Sequence, residues 1–447
     1  MNAGLRRGAC PSVAEPMATG DGLLARLPHP LAPWAIATLA GLAAAARDCG
    51  NGLIEVTARG SLQVRGLAAA TVPRFAAAVA EFGIDADSGL PVIVPPLAGF
   101  DENEAADVRP LARSLRAALA QSGLADALAP KVSVILDGGS RLHLDGLSAD
   151  IRAAATPGGA FHIAIAGTAA SATPLGIVGR ERLIPTVMAL LAMIAERGRE
   201  ARGRDIIASA GAAAVRGRLQ LADAPPAPPR PPAEPIGVHP LAEGRVAVGI
   251  GVPFGQASAA MLERLVEAAE AAGADRFVPA APRALLLIGT AARPAASLIA
   301  KAGRLGFITT AGDPRRFLAA CAGAPDCTSA RSPARSTAPG LATILAPILD
   351  GSVEVHISGC AKGCAHPGAA ALTLVGTAGG GSDVIIGGRA GDPAHGHLAA
   401  RDVQPSLARL ATRLAAERRA GERTADVVRR LGAGATTRLL DAEPPHV

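Results

Sequence analysis

His356-Ile-Ser-Gly-Cys-Ala-Lys-Gly-Cys-Ala-His-Pro-Gly368 sets two cysteines, Cys360 and Cys364, in a loop punctuated by glycine. Gly359 and Gly363 stand directly before them, so the backbone can wrap closely around a buried object. The run Ser352–Ser358 ahead of the loop reads as a strand. A second pair, Cys321 and Cys327, lies upstream, giving C-x5-C, thirty-two residues, then C-x3-C. Four thiolates from two loops supply one ligand for each iron of a 4Fe-4S cube. Structural zinc is the rival, but it favours tighter C-x2–4-C pairs on both sides. Buried thiols acting as small apolar residues are the third reading. Cys10 and Cys49 share no spacing with these four and read as structural.

Outward from this loop, the chain of 447 residues divides at Ala222–Pro240. Seven of the eleven residues Pro225–Pro235 are Pro, which predicts a semi-rigid extended linker. The two sides read as repeats. In the first, strand Gly22–Leu27, helix Leu31–Arg47 and strands Leu53–Thr57 and Ser61–Gly66 are expected, with Arg59-Gly60 at the last turn. In the second, strand Arg245–Val252, helix Ala257–Ala272 and strands Arg276–Pro279 and Ala284–Gly289 are expected, with Pro282-Arg283 at the turn. Each is half of a ferredoxin-like domain, and the two halves should pair into one sheet. A helix-rich stretch follows in each side, Arg109–Leu128 and Asp313–Ala322 with Leu341–Leu349. Then come an extended segment, a Gly-punctuated β region and a helix, Leu183–Arg197 or Val403–Arg419. The expected class is α+β, a pseudo-twofold repeat of ferredoxin-like halves and larger α/β cofactor-binding domains. The expected boundaries are 1–80, 81–221, the linker 222–240, 241–305 and 306–447.

Composition narrows the function. Hydrophobic residues make up 49% of the chain, too many for a disordered segment. No Tyr and one Trp argue against a stacking surface for single-stranded nucleic acid. The net charge of +6 rests on scattered Arg, which suits a polycarboxylate small molecule. The longest apolar runs, Leu31–Ala46 and Leu183–Ala195, are short of the ~20 residues a bilayer needs, so no membrane partner is expected. Arg6-Arg7 has no apolar core behind it from Gly8 to Asp21, so a cytoplasmic protein with reduced thiols is expected. Gly249-x-Gly251-x-x-Phe254 lacks the third Gly of a dinucleotide fingerprint.

The paired cysteines in the second of two repeated halves resemble the nitrite and sulfite reductase superfamily. Val56-Thr-Ala-Arg-Gly-Ser-Leu-Gln-Val-Arg-Gly-Leu67 is similar to that superfamily's strand-turn-strand, whose Arg faces the active site. Within it, Gly359–Gly368 departs from the reductases, which tend to carry Pro and Asn between the two Cys. Together with Cys10-Pro and Pro16–Arg26, it resembles the branch acting on precorrin-3A in aerobic cobalamin synthesis. That resemblance implies a monooxygenase that hydroxylates C-20 and forms a γ-lactone from the ring A acetate. It implies a 4Fe-4S cluster on Cys321, Cys327, Cys360 and Cys364, a mononuclear non-haem iron, dioxygen, and electrons from NADH through a separate donor. The alternatives are an assimilatory reductase with sirohaem, or a non-catalytic iron–sulfur or tetrapyrrole-binding protein.

A tetrapyrrole with many acetate and propionate arms needs several cations around it, and Arg pairs carboxylates bidentately. Arg59 matches the superfamily's active-site Arg and is expected to be catalytic and substrate-binding, against an ordinary turn Arg. Lys131 matches the first Lys of a reductase Pro-x-Lys-x-Lys stretch and takes both roles as well; Ser133 stands where the second Lys would be. Arg65, Arg283 in the repeat-equivalent turn, and Lys362 between the cluster cysteines complete the substrate-binding set. Arg109, Arg113 and Arg116 share one helix face, solvated or carboxylate-gripping. His356 and His366, or His395 and His397 with Asp392, offer no clean iron motif, and His29 and His239 beside Pro read as loop residues.

Overall fold

The computed structural model describes residues 11–84 and 89–441. Cys10 and the Arg6-Arg7 pair lie outside the described residues. The chain forms two compact units. Of the described residues, one takes 11–18, 23–84, 89–250 and 257–309; the other takes 19–22, 251–256 and 310–441.

The first unit holds two related sheets. One runs in the order Met17–Thr19, Gly22–Arg26, Leu62–Leu67, Leu53–Val56, Gln256–Ser258. The other runs Gly237–Pro240, Arg245–Gly251, Ala284–Ala291, Arg276–Ala280, Trp34–Ala35. Each sheet ends on a short strand from the opposite repeat. The single joint sheet expected from sequence is therefore two sheets that exchange edge strands. The cause is local. Each exchanged strand runs straight into its own repeat's helix, Ile36–Cys49 or Ala259–Glu270, and these helices pack on each other. Their first N–H groups cap reciprocally across the repeat, Ile36 on the Asp275 carbonyl and Ala259 on the Gly52 carbonyl, both at 2.8 Å. The first helix accordingly begins at Ile36, five residues after the expected start, because Trp34-Ala35 is strand.

The third sheet, also in the first unit, places Val92–Ile93, Val134–Asp137 and Ala149–Ala155 in parallel, then Phe161–Gly167 and Thr173–Val178 antiparallel. Leu115, Val134, Leu136, Ile151, Phe161 and Leu190 bury its core against helices Arg109–Ser122 and Arg180–Ala195. The second unit repeats this order and these directions in Leu318–Ala320, Val355–Ser358, Ala370–Gly376, Ser382–Gly388 and Gly396–Leu398. Asp313–Ala322, read from sequence as helix-rich, is a single turn at Pro314–Phe317 followed by strand Leu318–Ala320. Pairing with Val355–Ile357 overrides its weak helical pattern.

The repeat also extends to its last helices, Gly203–Leu219 and Thr424–Arg438, which the sequence reading did not assign. Both begin with Arg-x-x-Asp, where the Asp carboxylate accepts the Arg backbone N–H, Asp205 from Arg202 and Asp426 from Arg423. Both break at a glycine of positive φ, Gly211 and Gly432. The Pro-rich segment is irregular up to Ile236, and its last residues, Gly237–Pro240, join the second sheet. His239, read as a loop residue, is buried on that strand with Nε2 2.9 Å from the Pro235 carbonyl.

Candidate functional site

Parallel neighbours explain how the loop bearing Cys321 and Cys327 comes beside the loop bearing Cys360 and Cys364. Leu318–Ala320 and Val355–Ser358 lie side by side, so the loops leaving their C-terminal ends emerge together. Cys321 continues the ladder through its N–H to the Ile357 carbonyl at 3.2 Å. Its sulfur accepts the Gly359 N–H at 3.1 Å. Burial pushes the Cys321 thiol up, the Gly359 and Gly323 N–H groups draw it down, and the Cys360 and Cys327 thiols beside it push it up further. Cys327 N–H donates to Gly323 at 2.8 Å, closing the C-x5-C loop. The loops are tied directly by Arg331 N–H on the Gly359 carbonyl at 2.7 Å. Lys362 Nζ reaches from the second loop to Ser329 Oγ in the first, at 2.9 Å.

This donor set fits an iron–sulfur cube. Thiols on two loops, amide N–H groups aimed at a ligand sulfur and glycines at close approaches are what a cube requires. Among the described residues, no three His, Cys, Asp or Glu side chains converge on a point where one ion would sit. His356 and His366 face each other at 5.8 Å between ring centres, with His366 Nδ1 3.3 Å from Glu354. His397 instead pairs with Asp383, His395 accepts the Ile386 N–H, and Asp392 accepts the Arg389 N–H. His395, His397 and Asp392 are thus engaged with separate partners rather than gathered into one ligand set.

A second cluster forms in the first unit around the Arg59-Gly60 turn. Gly60 has φ +73°, and a Cβ there would stand 2.8 Å from Ala281 N. The two repeat-equivalent turns thus abut, and Arg283 N–H donates to the Thr57 carbonyl at 3.3 Å. Arg59 donates to the Ser148 carbonyl at 2.8 Å and reaches Ser133 Oγ at 3.5 Å. His29 sits beside it. Burial, then the charges of Arg59, Arg26 and Arg116, push its pKa down to about 3 against an opposing bond to Gly60. Arg116 fixes the His29 carbonyl at 2.7 Å.

The structure thus brings Arg59, Ser133, Arg26, Arg116 and His29 together, and the Arg283 backbone meets the same turn. Lys131 lies exposed three residues before strand Val134–Asp137, its carbonyl held by Arg202 at 3.0 Å. Arg65 is buried and paired with Glu55 on the adjacent strand at 3.1 Å. Arg109 turns instead to Asp107 and stacks on Phe100. Cys49 is buried against the Arg74 side chain. The sequence reads His29 only as a loop residue and gives Arg26 no site role. The available signal was the repeat itself: Leu27-Pro-His-Pro30 and Val252-Pro-Phe-Gly255 occupy matching places after the first strand of each repeat. No helix among the described residues is long and apolar enough to cross a membrane.

Residues 15–82 match the nitrite/sulfite reductase ferredoxin-like half domain. The structure resembles that of the Mycobacterium tuberculosis NirA protein, with a TM-score of 0.75 at 20% identity. The likeness covers 93% of this chain and 85% of that one. This supports the superfamily fold. A protein of a Sinorhizobium species named precorrin-3B synthase is 39% identical over 434 residues, spanning 96% of this chain and 94% of the relative. By that extent of identity, the chain belongs to the precorrin-3B synthase family.

Proposed function

We propose that the protein converts precorrin-3A to precorrin-3B in cobalamin synthesis, hydroxylating C-20 and closing a γ-lactone from the ring A acetate. One oxygen atom of dioxygen enters the product and the other leaves as water. Two electrons come from NADH through a separate donor protein. Family membership supports the substrate. The observation that carries the reading within this chain is the cation set at the Arg59 turn, where a neutral imidazole lies among three guanidinium groups. Such a set attracts several carboxylates at once.

Arg59 binds and orients a carboxylate arm near the reacting edge, and Lys131 adds an exposed charge just before strand Val134–Asp137. Arg283 belongs to the same pair of turns. Arg65, through Glu55, holds the strand that presents Arg59. Ser133 faces Arg59 with a neutral hydroxyl where the reductase stretch carries its second Lys, which weighs against the reduction of a small oxyanion. His29 holds the Gly60 carbonyl and so the turn itself. Cys321, Cys327, Cys360 and Cys364 would hold a 4Fe-4S cluster, which passes electrons one at a time. The mononuclear iron implied by the resemblance has no ligand set that we assign.

The test is anaerobic purification followed by turnover. The expected protein shows a broad absorption shoulder at about 400 nm without haem bands. It holds more iron than one cube and consumes precorrin-3A only with dioxygen and an electron carrier. A Soret band with sirohaem absorption would favour the reductase reading. Cluster absorption without turnover of either substrate would favour a carrier. Oxidation of NADH by the pure protein alone would overturn the separate donor.

A further inference from the structure

The turn Thr19–Gly22 lies against the cysteine loops of the second unit. Its Gly20 carbonyl accepts both the Thr328 N–H at 2.8 Å and the Thr328 hydroxyl at 3.0 Å. A Cβ on Gly20 would overlap the Cys327 sulfur and stand 3.2 Å from both Ser329 N and Ser329 Oγ. Ser329 Oγ in turn takes the Lys362 ammonium at 2.9 Å. Three segments far apart in sequence are thereby joined through two adjacent residues. They are the Gly20 turn, the C-x5-C loop and the C-x3-C loop. Thr19 Oγ1 braces the turn from inside, bonding Asp21 Oδ1 and the Gly22 carbonyl, each at 2.7 Å.

We propose that Gly20, Thr328, Ser329 and Lys362 form a clasp that ties the two cysteine loops to each other and seats the Gly20 backbone against the Cys327 sulfur. The inference rests on the cluster assignment above and adds residues that do not touch iron. Gly20 is required because any side chain there would collide with the Cys327 sulfur, so only a bare backbone can lie against that partly exposed thiol. Lys362 is a positioning residue: its ammonium is spent on Ser329, so its first role is to hold one loop to the other. Groups around a metal site that orient its ligands weaken metal retention when removed.

The experiment compares wild type with Gly20→Ala, Thr328→Val, Lys362→Met and Lys362→Arg. Iron and acid-labile sulfide per chain, the spectrum of the reduced cluster and its bleaching rate in air are measured, and circular dichroism monitors the fold. Thr328→Val and Lys362→Met are expected to bleach on the order of tenfold faster than wild type with unchanged dichroism. Lys362→Arg, which keeps a donor, is expected to restore much of the lifetime. Gly20→Ala is expected to lose iron on loading. Wild-type bleaching rates and spectra in both Thr328→Val and Lys362→Met would overturn the clasp, whatever Gly20→Ala does. Wild-type protein free of iron and sulfide would overturn the cluster assignment, and the clasp with it.

Discussion

The Arg230 guanidinium, from the Pro-rich linker, lies 2.7 Å from Asp137 Oδ2, and it also holds Asp145. Asp137 is 1% exposed and ends the strand equivalent to the one that leads into Cys360. Where the second unit carries thiols after that strand, the first carries carboxylates closed by an arginine from the linker. Arg230→Met leaves a buried carboxylate with only backbone N–H partners. We expect a loss of about 3 kcal/mol, read from urea unfolding. Asp137→Asn in the same background should recover part of it, because the two changes share one interaction.

Much of this was legible in the sequence. The strand-helix-strand-strand order of each repeat, the Cys spacing and the Arg59 turn follow from local patterns of Gly, Pro and alternating apolar residues. The exchanged edge strands were not legible, since Trp34-Ala35 and Gln256–Ser258 are too short to show any period. His29 was hidden for another reason. A lone histidine between two prolines carries no spacing, and only folding brings Arg26, Arg59 and Arg116 around it. The closing helices were missed because Gly211 and Gly432 break their helical pattern midway.

Glu104 gives a pH signature. Burial raises its pKa to about 7; the Gly99 N–H opposes this, Asp101 and Asp107 add to it, and Arg109 opposes. The folded state therefore binds a proton that the unfolded chain has lost, and stability falls as pH rises from the ordinary Glu range towards 7. Glu104→Gln should remove that slope. Its stability relative to wild type should rise across this window and level off above it. With half of the group open to solvent screening, the gain is at most about 2 kcal/mol. Thermal unfolding at a series of pH values checks the sign.

Gly60 allows the two turns to meet. Gly60→Ala places a Cβ against Ala281 N and Ala280 C and forces a left-handed conformation on alanine. The backbone cost alone is about 1–2 kcal/mol. Gly83, also at positive φ but with open space around it, is the control. Gly83→Ala should show the backbone cost only, and the difference in Tm between the two variants measures the contact.

Arg59→Ala should raise KM for the tetrapyrrole about tenfold to a hundredfold, matching the loss of one charge-assisted hydrogen bond. Arg59→Lys should recover only part, because a point charge replaces a bidentate fork. A KM unchanged in both variants would remove Arg59 from the substrate site.

The most direct measurement is the mass of the product formed from precorrin-3A under isotope-labelled dioxygen, with the cluster loaded and an electron carrier supplied. The account predicts one labelled oxygen atom in the product and the other in water. A product carrying no label, or no product while nitrite or sulfite is reduced, would contradict it.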